Sequence, residues 1–145
     1  KENVLLSCID RYAKHGYLDE KKEKQDVSEK AEALKIRMTG LDQRIIELSG
    51  GNQQKAVFAK ALMTNPKVFL CDEPTQAVDI MTRNEIHKLL REKADAGNAV
   101  VYVSSDLKEI LEVADTIQLV VQGETRQLLV NENLTTTEVL SYCYE

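Results

Sequence analysis

The chain has 145 residues, of which 43% are hydrophobic and 30% are charged, and its formal net charge at pH 7 is −5. This length suffices for one compact core but is short for two ordinary domains. The acidic balance argues against a nucleic-acid-binding surface, which is normally basic, and no stretch approaches the roughly 18 apolar residues of a membrane span.

Three amphipathic helices are predicted in the first part of the chain. Apolar residues at helical spacing predict a helix over residues 2–15 and a second one from Val27 to about Met38. The mixed charges of residues 19–26 favour a solvated helix face, with a docking patch as the alternative. A third helix starts at a pair of glycines and ends before Pro66. Together these helices predict a helical subdomain over residues 1–66.

From residue 67 onward, the pattern alternates between strands and helices. Two short, wholly apolar segments predict parallel strands that are covered on both faces. The predicted elements are a strand at 68–72, a helix at 82–96, a strand at 99–104, a helix from Asp106, a hairpin over 117–130 and a final helix from Thr135. This order predicts an α/β fold in which residues 67–145 belong to a parallel core.

Cysteines and histidines are few and scattered. Cys8, Cys71 and Cys143 lack metal-ligand spacing, and they are predicted to be reduced thiols, with Cys71 a small buried residue of its strand. The histidines, His15 and His87, are predicted to be surface residues on helices. Neither residue type therefore points to a metal centre.

Two polar motifs lie between residues 48 and 79. The triplet Ser49–Gly51 opens the third predicted helix, where free backbone N–H groups and the helix dipole attract anions and glycine lets a phosphate approach. The strand at 68–72 ends in Asp72 and Glu73, and parallel sheets bind ligands at the C-terminal ends of their strands. An anion site followed by paired carboxylates predicts phosphate and magnesium chemistry.

These motifs resemble those of the ATP-binding-cassette (ABC) ATPases. Leu48–Gln54 is similar to the family's signature motif, Val68–Glu73 to its Walker B strand, and Ala77–Asp79 to its D-loop. The Gly-Asn-Gln-Gln-Lys variant and Ser104–Ile110 resemble, more narrowly, the second cassette of bacterial importer ATPases for monosaccharides (ribose/galactose-type) or nucleosides. The resemblance covers nearly the whole chain and implies a partial P-loop NTPase core with an N-terminal helical subdomain.

The phosphate-gripping P-loop sequence, Gly-x-x-x-x-Gly-Lys-Ser/Thr, does not occur in this sequence. In the family, the P-loop strand and the glutamine loop precede the helical subdomain. The chain is therefore expected to be the C-terminal part of a cassette from a longer protein, and to be inactive alone. Without the P-loop strand beside it, the strand at 68–72 is expected to have an open apolar edge, which favours self-association.

The resemblance assigns catalytic roles at the strand ends. Asp72 would hold Mg²⁺ through water, and Glu73 would act as the general base for the water that attacks ATP. The alternative for this pair is two carboxylates that cap the next turn. Ser105 stands where most ABC ATPases carry a histidine that holds the γ-phosphate, and the resembling importer half also has serine there. Ser105 is thus a catalytic candidate without a ring or a charge.

The resemblance also assigns nucleotide contacts. Ser49, Gly50 and Gly51 would contact the γ-phosphate of ATP bound by the opposite cassette, with a helix N-cap as the alternative for the serine. Asn52 replaces the glutamine that is commonest in the superfamily and belongs to the same motif. Asp79 would couple the two sites across the cassette dimer, with helix capping as its alternative.

The function implied is ATP binding and hydrolysis coupled to import of a simple sugar or a nucleoside. The implied partners are transmembrane permease subunits and the other cassette, at the cytoplasmic face of the membrane, with the ATPase as a peripheral subunit and no nucleic acid bound. Two alternatives stay open. One is a non-transport ABC-type ATPase that acts on DNA, which the acidic charge and the Asn-Gln-Gln-Lys variant disfavour. The other is a non-catalytic half that completes only its partner's site.

Overall fold

The computed structural model describes residues 1–14 and 16–144, so the predicted surface position of His15 lies outside the described residues. The chain divides into two compact units. The first comprises Lys1–Phe69 and Thr75–Ala99, and the second comprises Leu70–Pro74 and Val100–Glu145. The predicted boundary between a helical subdomain at residues 1–66 and an α/β part at residues 67–145 stays a prediction. Each unit is described by itself.

The first unit is mainly helical. Its elements are α1 (Glu2–Leu5), β1 (Ala13–Lys14), β2 (Tyr17–Leu18), α2 (Glu20–Ala33), α3 (Gly50–Met63) and α4 (Ile80–Asp95), with 3₁₀ turns at Ile9–Arg11 and Ile45–Glu47. The predicted helix over residues 2–15 is confirmed only at Glu2–Leu5. A 3₁₀ turn follows at Ile9–Arg11, and Ala13–Lys14 forms an antiparallel pair with Tyr17–Leu18 instead of continuing the helix. Gly16 has a φ of +85°, a left-handed conformation that glycine adopts without steric cost.

The second helix is shorter than predicted. It ends at Ala33 rather than near Met38, because Lys35 has a φ of +52°. The N–H of Ile36 donates to the carbonyl of Ala31 at 2.9 Å, which closes the helix in a Schellman turn. A left-handed residue directly after the last turn stops a helix even where the apolar spacing continues.

The charged run at 19–26 is mostly exposed, as predicted for a solvated helix face. Asp19 is the N-cap of α2, and its carboxylate accepts a hydrogen bond from the Lys22 N–H at 3.1 Å. Glu23 is the exception to the solvated face, because it is buried and pairs with the Lys1 ammonium at 2.8 Å.

One hydrophobic cluster holds the helices of the first unit together. It joins residues of α1, α2 and α3 with two residues of the segment after α1, and its buried members are Val4, Leu5, Cys8, Tyr12, Val27, Ala59 and Met63. The Tyr12 hydroxyl donates to Asp26 at 2.7 Å, so its polar end is satisfied beside the core. This packing fixes α3, the helix that begins with the glycine pair.

The strands β3 (Val68–Asp72) and β4 (Ala99–Val103) are hydrogen-bonded neighbours. Near their starts, the Ala99 N–H donates to the Lys67 carbonyl at 2.9 Å. At their ends, the Glu73 N–H donates to the Val103 carbonyl at 2.9 Å. The start of β3 pairs with the start of β4 and their ends pair with each other, so the two strands are parallel. The predicted α/β class is confirmed.

The predicted burial of these strands on both faces is wrong. Phe69 and Cys71 are buried, whereas Leu70 is 79% exposed. Val101 and Val103 are about half exposed, at 48% and 51%. Within residues 1–14 and 16–144, only β3 and β4 form this sheet, and a large part of each of these three side chains stays uncovered. A wholly apolar strand is therefore buried on one face only.

The second unit continues with α5 (Leu107–Val113), an antiparallel hairpin of β5 (Thr116–Val121) and β6 (Glu124–Val130), and α6 (Thr136–Tyr144). Its core contains Ile117, Leu129 and Val139. The predicted hairpin and final helix are both confirmed. None of the described helices is long and apolar enough to span a bilayer.

Candidate functional site

Ser49 occupies the N-cap position directly before α3, and its hydroxyl makes no capping hydrogen bond to the described helix backbone. Instead, the Ser49 Oγ accepts a hydrogen bond from the Asn52 side-chain amide at 2.8 Å. The Asn52 Oδ1 in turn accepts from the Arg37 backbone N–H at 2.9 Å. Ser49 therefore stands at the N-cap position, as its alternative predicts, but its side chain does not cap the helix. Asn52 orients this serine and ties it to the segment that follows α2.

The two glycines of the motif have different surroundings. A β-carbon on Gly50 would meet no described atom within 4 Å, so the backbone is open to a ligand there. A β-carbon on Gly51 would lie 2.6 Å from the Thr82 Oγ1 and 3.2 Å from the Asp79 Oδ2. Gly50 thus leaves space outside the helix, whereas Gly51 allows the start of α3 to pack against the start of α4.

Asp79 is the N-cap of α4. Its carboxylate accepts hydrogen bonds from the Thr82 backbone N–H and from the Thr82 hydroxyl, both at 2.9 Å. Both bonds lower the pKa of Asp79 below its usual value, and the bond from the Thr82 backbone N–H has the larger effect. The helix-capping alternative is therefore observed, and the coupling role stays a prediction. Sequence reasoning missed Thr82, although an N-cap aspartate accepts a hydrogen bond from the backbone N–H two or three residues later.

An ion pair joins the same two helices one turn further along. Lys55 is buried on α3 and pairs with Glu85 of α4. The Lys35 ammonium lies 3.9 Å from the other oxygen of the Glu85 carboxylate. Because Gly51 and Lys55 are one helical turn apart, α3 and α4 are linked at two successive turns. The Ser49–Asn52 motif and Asp79 therefore belong to one packed arrangement in the first unit.

The carboxylate pair lies in the second unit, at the C-terminal end of β3. Asp72 is exposed as the last residue of the strand. Glu73 has a φ of +43°, in the left-handed region that non-glycine residues seldom adopt. Such backbone strain persists only where the surrounding structure holds it, and it clusters at functional sites. Here the Glu73 N–H is held by the Val103 carbonyl of the neighbouring strand at 2.9 Å.

The Glu73 side chain is anchored by the turn that follows β4. Its Oε1 accepts a hydrogen bond from the Ser105 backbone N–H at 2.8 Å, and its Oε2 lies 3.4 Å from the Ser104 hydroxyl. The structure thus brings Ser105 to Glu73, but through its backbone rather than its hydroxyl. A contact of this kind does not depend on which side chain occupies position 105.

Sequence reasoning missed the part that Ser104 and Glu109 play beside Glu73. The Ser104 Oγ lies 3.0 Å from the Glu109 Oε2, and Glu109 is only 3% exposed. Asp106 and Glu109 also have the spacing of a capping box. Asp106 does cap α5, through bonds from the Lys108 and Glu109 N–H groups at 3.1 and 3.3 Å. The sequence offered no signal for the contact between Ser104 and Glu109.

Comparison with known families identifies the chain. The family described as ABC transporter matches residues 1–76, just over half of the chain. The chain belongs to the ABC transporter family. The matched residues include the signature-type start of α3, the strand β3 and the carboxylate pair.

The relatives of this ABC chain include xylose import ATP-binding proteins named XylG. XylG of Paraburkholderia xenovorans (strain LB400) is 40% identical over 139 residues, which are 96% of this chain and 27% of that protein. XylG of Escherichia coli (strain K12) is 35% identical over 140 residues, with the same two shares, 96% and 27%. The chain therefore spans about a quarter of the length of these relatives.

Solved ABC structures share the fold. The dimeric bacterial ABC transporter cassette MJ0796 superposes with a TM-score of 0.77 at 28% identity, over 92% of this chain and 56% of that one. The same cassette in a post-hydrolysis state bound to ADP and Pi also gives a TM-score of 0.77 at 28% identity, with the same coverage of 92% and 56%. These likenesses confirm an ABC-type α/β core.

The residues of this ABC chain fit the ligands that the family binds. The open backbone at Gly50, at the start of a 14-residue helix, is suited to a phosphate. No described group of three or more His, Cys, Asp or Glu side chains could hold a metal by itself. Mg²⁺ in nucleotide sites takes one or two carboxylates and completes its shell with phosphates and water, so the single exposed Asp72 fits it.

Proposed function

We propose that this chain is the C-terminal part of an ATP-hydrolysing ABC cassette that powers import of a simple sugar. Its XylG relatives, which are named for xylose import, favour a sugar over a nucleoside. The coverage of 27% of the XylG length supports a longer parent that carries the P-loop. In this proposal the parent is a peripheral subunit at the cytoplasmic membrane face, and it pairs with permease subunits and a second cassette.

The observation that carries the proposal is the anchored carboxylate of Glu73. The Ser105 N–H holds Oε1 at 2.8 Å, so the carboxylate is oriented before any substrate arrives. A general base works when it is ionised and held within hydrogen-bond reach of the proton that it takes. Glu73 then accepts a proton from the attacking water. Asp72, the neighbouring exposed carboxylate, is the residue that would hold Mg²⁺, which offsets the negative charge of the phosphates.

The signature residues have a different role in this proposal. Ser49, Gly50 and Gly51 offer the start of α3 to the γ-phosphate of ATP held by the other cassette. Asn52 orients Ser49 for that contact, through its amide at 2.8 Å. Asp79, packed against Gly51, couples this surface to the opposite site. The chain thus contributes to one site through Glu73 and to another through the start of α3.

The test is Glu73→Gln in the full-length parent. Turnover of ATP should fall by at least about a hundredfold, which is the usual contribution of a general base. ATP binding should survive, because glutamine has the same shape and leaves the phosphate contacts intact. The matched control is Glu112→Gln, which changes an exposed glutamate of α5 and should leave turnover within twofold.

Unchanged turnover in Glu73→Gln would contradict the proposal and support the second candidate, a half that only completes its partner's site. The observation that favours this second candidate is that Ser105 offers Glu73 a backbone N–H but no charged side chain. A separate test uses the chain alone, which should not hydrolyse ATP because it lacks a P-loop. If the chain alone hydrolyses ATP and Glu73→Gln abolishes this turnover, the P-loop is dispensable.

A further inference from the structure

The hydrogen bonds around Ser104 decide where its single hydroxyl proton points. The Ser104 Oγ accepts from the Asp106 N–H at 3.1 Å. It lies 3.0 Å from the Glu109 Oε2 and 3.4 Å from the Glu73 Oε2. A serine hydroxyl donates one proton at a time. The shorter contact leads to Glu109, so the proton points there.

Burial favours the same assignment. Glu109 is 3% exposed, whereas Glu73 is only partly buried. A hydrogen bond gains strength where water is excluded, and a buried acceptor that loses a donor cannot readily replace that bond with water. The Ser104 proton therefore stabilises the structure more at Glu109 than at Glu73.

This arrangement gives the two carboxylate oxygens of Glu73 different hydrogen-bonding roles. Oε1 is held by the Ser105 N–H at 2.8 Å. With the Ser104 hydroxyl directed to Glu109 through its shorter contact, the Glu73 Oε2, 3.4 Å from the Ser104 Oγ, keeps its lone pairs available to a water molecule. A base that is held at one oxygen and free at the other is both oriented and able to accept a proton.

We propose that Glu109 is a positioning residue for Glu73 that acts through Ser104. Resting on the function proposed above, this assigns to α5 a part in hydrolysis. Glu109 accepts the hydrogen bond of the Ser104 hydroxyl and so fixes the turn at residues 104–105, which aims the Ser105 N–H at Glu73. Glu109 does not touch the reacting atoms. Its removal frees the Ser104 hydroxyl to donate to Glu73 Oε2 and lets the turn move.

A glutamate with only a structural role would accept the Ser104 hydrogen bond without affecting Glu73. The test must therefore measure both the order of the turn at residues 104–105 and the rate of the chemical step. The first measurement is amide hydrogen exchange at Ser105 in the nucleotide-free full-length protein. Glu109→Met removes the acceptor at similar size and should speed exchange of the Ser105 amide by at least about tenfold. Glu112→Met, on the exposed side of α5, should leave it unchanged.

The second measurement is steady-state ATP hydrolysis. Glu109→Met should lower kcat by about tenfold or more while KM for ATP stays within twofold, because misplacing a base affects the chemical step and not nucleotide binding. Glu109→Gln keeps an oxygen acceptor for Ser104 and should recover kcat to within about threefold of the wild type. Ser104→Ala breaks the same contact with Glu109 and should also lower kcat, and the double variant should be no slower than the slower single variant, since the two residues act as one unit.

Unchanged Ser105 exchange in Glu109→Met, or a Glu109→Gln variant as slow as Glu109→Met, would overturn the positioning role. If Glu109→Met does not fold, Ser104→Ala decides by the same two measurements. A wild-type protein without ATP turnover would overturn the proposed function instead. The exchange rate of the Ser105 amide would still decide whether Glu109 positions Glu73. The two failures are therefore distinguishable.

Discussion

A β-carbon on Gly51 would lie 2.6 Å from the Thr82 hydroxyl oxygen, a separation at which one of the two helices must shift. Thr82 is 6% exposed and held by Asp79, so it cannot easily turn away. The first turn of α3 and the first turn of α4 are thus packed without spare volume. Gly51 serves this packing whether or not a phosphate is bound.

Gly51→Ala should destabilise the fold by about 1–3 kcal/mol, the usual cost of overpacking. The measurement is the free energy of unfolding from denaturant titration of the chain. Gly50→Ala is the matched control, since its new methyl group would meet nothing within 4 Å. It should be neutral or stabilising by up to about 1 kcal/mol. Equal losses in both variants would show that backbone conformation, and not the Thr82 contact, requires the glycines.

The pKa of Asp79 is lowered chiefly by the Thr82 backbone N–H and further by its hydroxyl. Thr82→Ala should raise this pKa only part of the way to its usual value, because the backbone bond remains. A carboxyl NMR titration measures the shift. A lowered pKa in the folded state adds stability above the unfolded value of about 3.9, and this stability is lost as pH falls through the folded pKa. The cost of Asp79→Asn should therefore shrink below about pH 4.

Burial raises the pKa of the Cys71 thiol, and also that of Cys8. Cys143 is partly exposed on α6. Because the thiolate is the reactive form, Cys143 should react with a disulfide reagent at pH 8 well before the other two. Peptide mapping after a short reaction identifies the modified residue. Early labelling of Cys71 would mean that the face of β3 that holds this thiol opens readily.

The exposed apolar face of Leu70, Val101 and Val103 should make the isolated chain self-associate. Light scattering over a concentration series should show a rising average mass. Leu70→Thr should reduce the association, because it removes the most exposed of these side chains while keeping a strand-forming residue. Val120→Thr, which changes an exposed valine of the hairpin, is the control. A monodisperse monomer at high concentration would contradict the prediction.

The sequence by itself determined the elements whose cause is local. The start of α3 at Gly50 follows from the residues around it. In the cap of α6, the Thr135 N–H donates to the Glu138 Oε2 at 2.7 Å, and the Glu138 N–H donates back to the Thr135 Oγ1 at 3.3 Å. These bonds join residues within one turn, so spacing alone predicts them. The family motifs were recognisable for the same reason, because they are short and contiguous.

Only the tertiary structure decided how these elements act on one another. Gly50 and Gly51 are identical in the sequence, and only the position of Thr82 shows that one is open and the other packed. The bond from the Ser105 N–H to Glu73 joins residues 32 positions apart, and no local pattern encodes such a contact. The exposed face of β3 was likewise unpredictable. An apolar run shows that a strand can be covered, but it does not show which of its two faces is covered. Side-chain burial depends on distant parts of the chain, and these meet only in the folded protein.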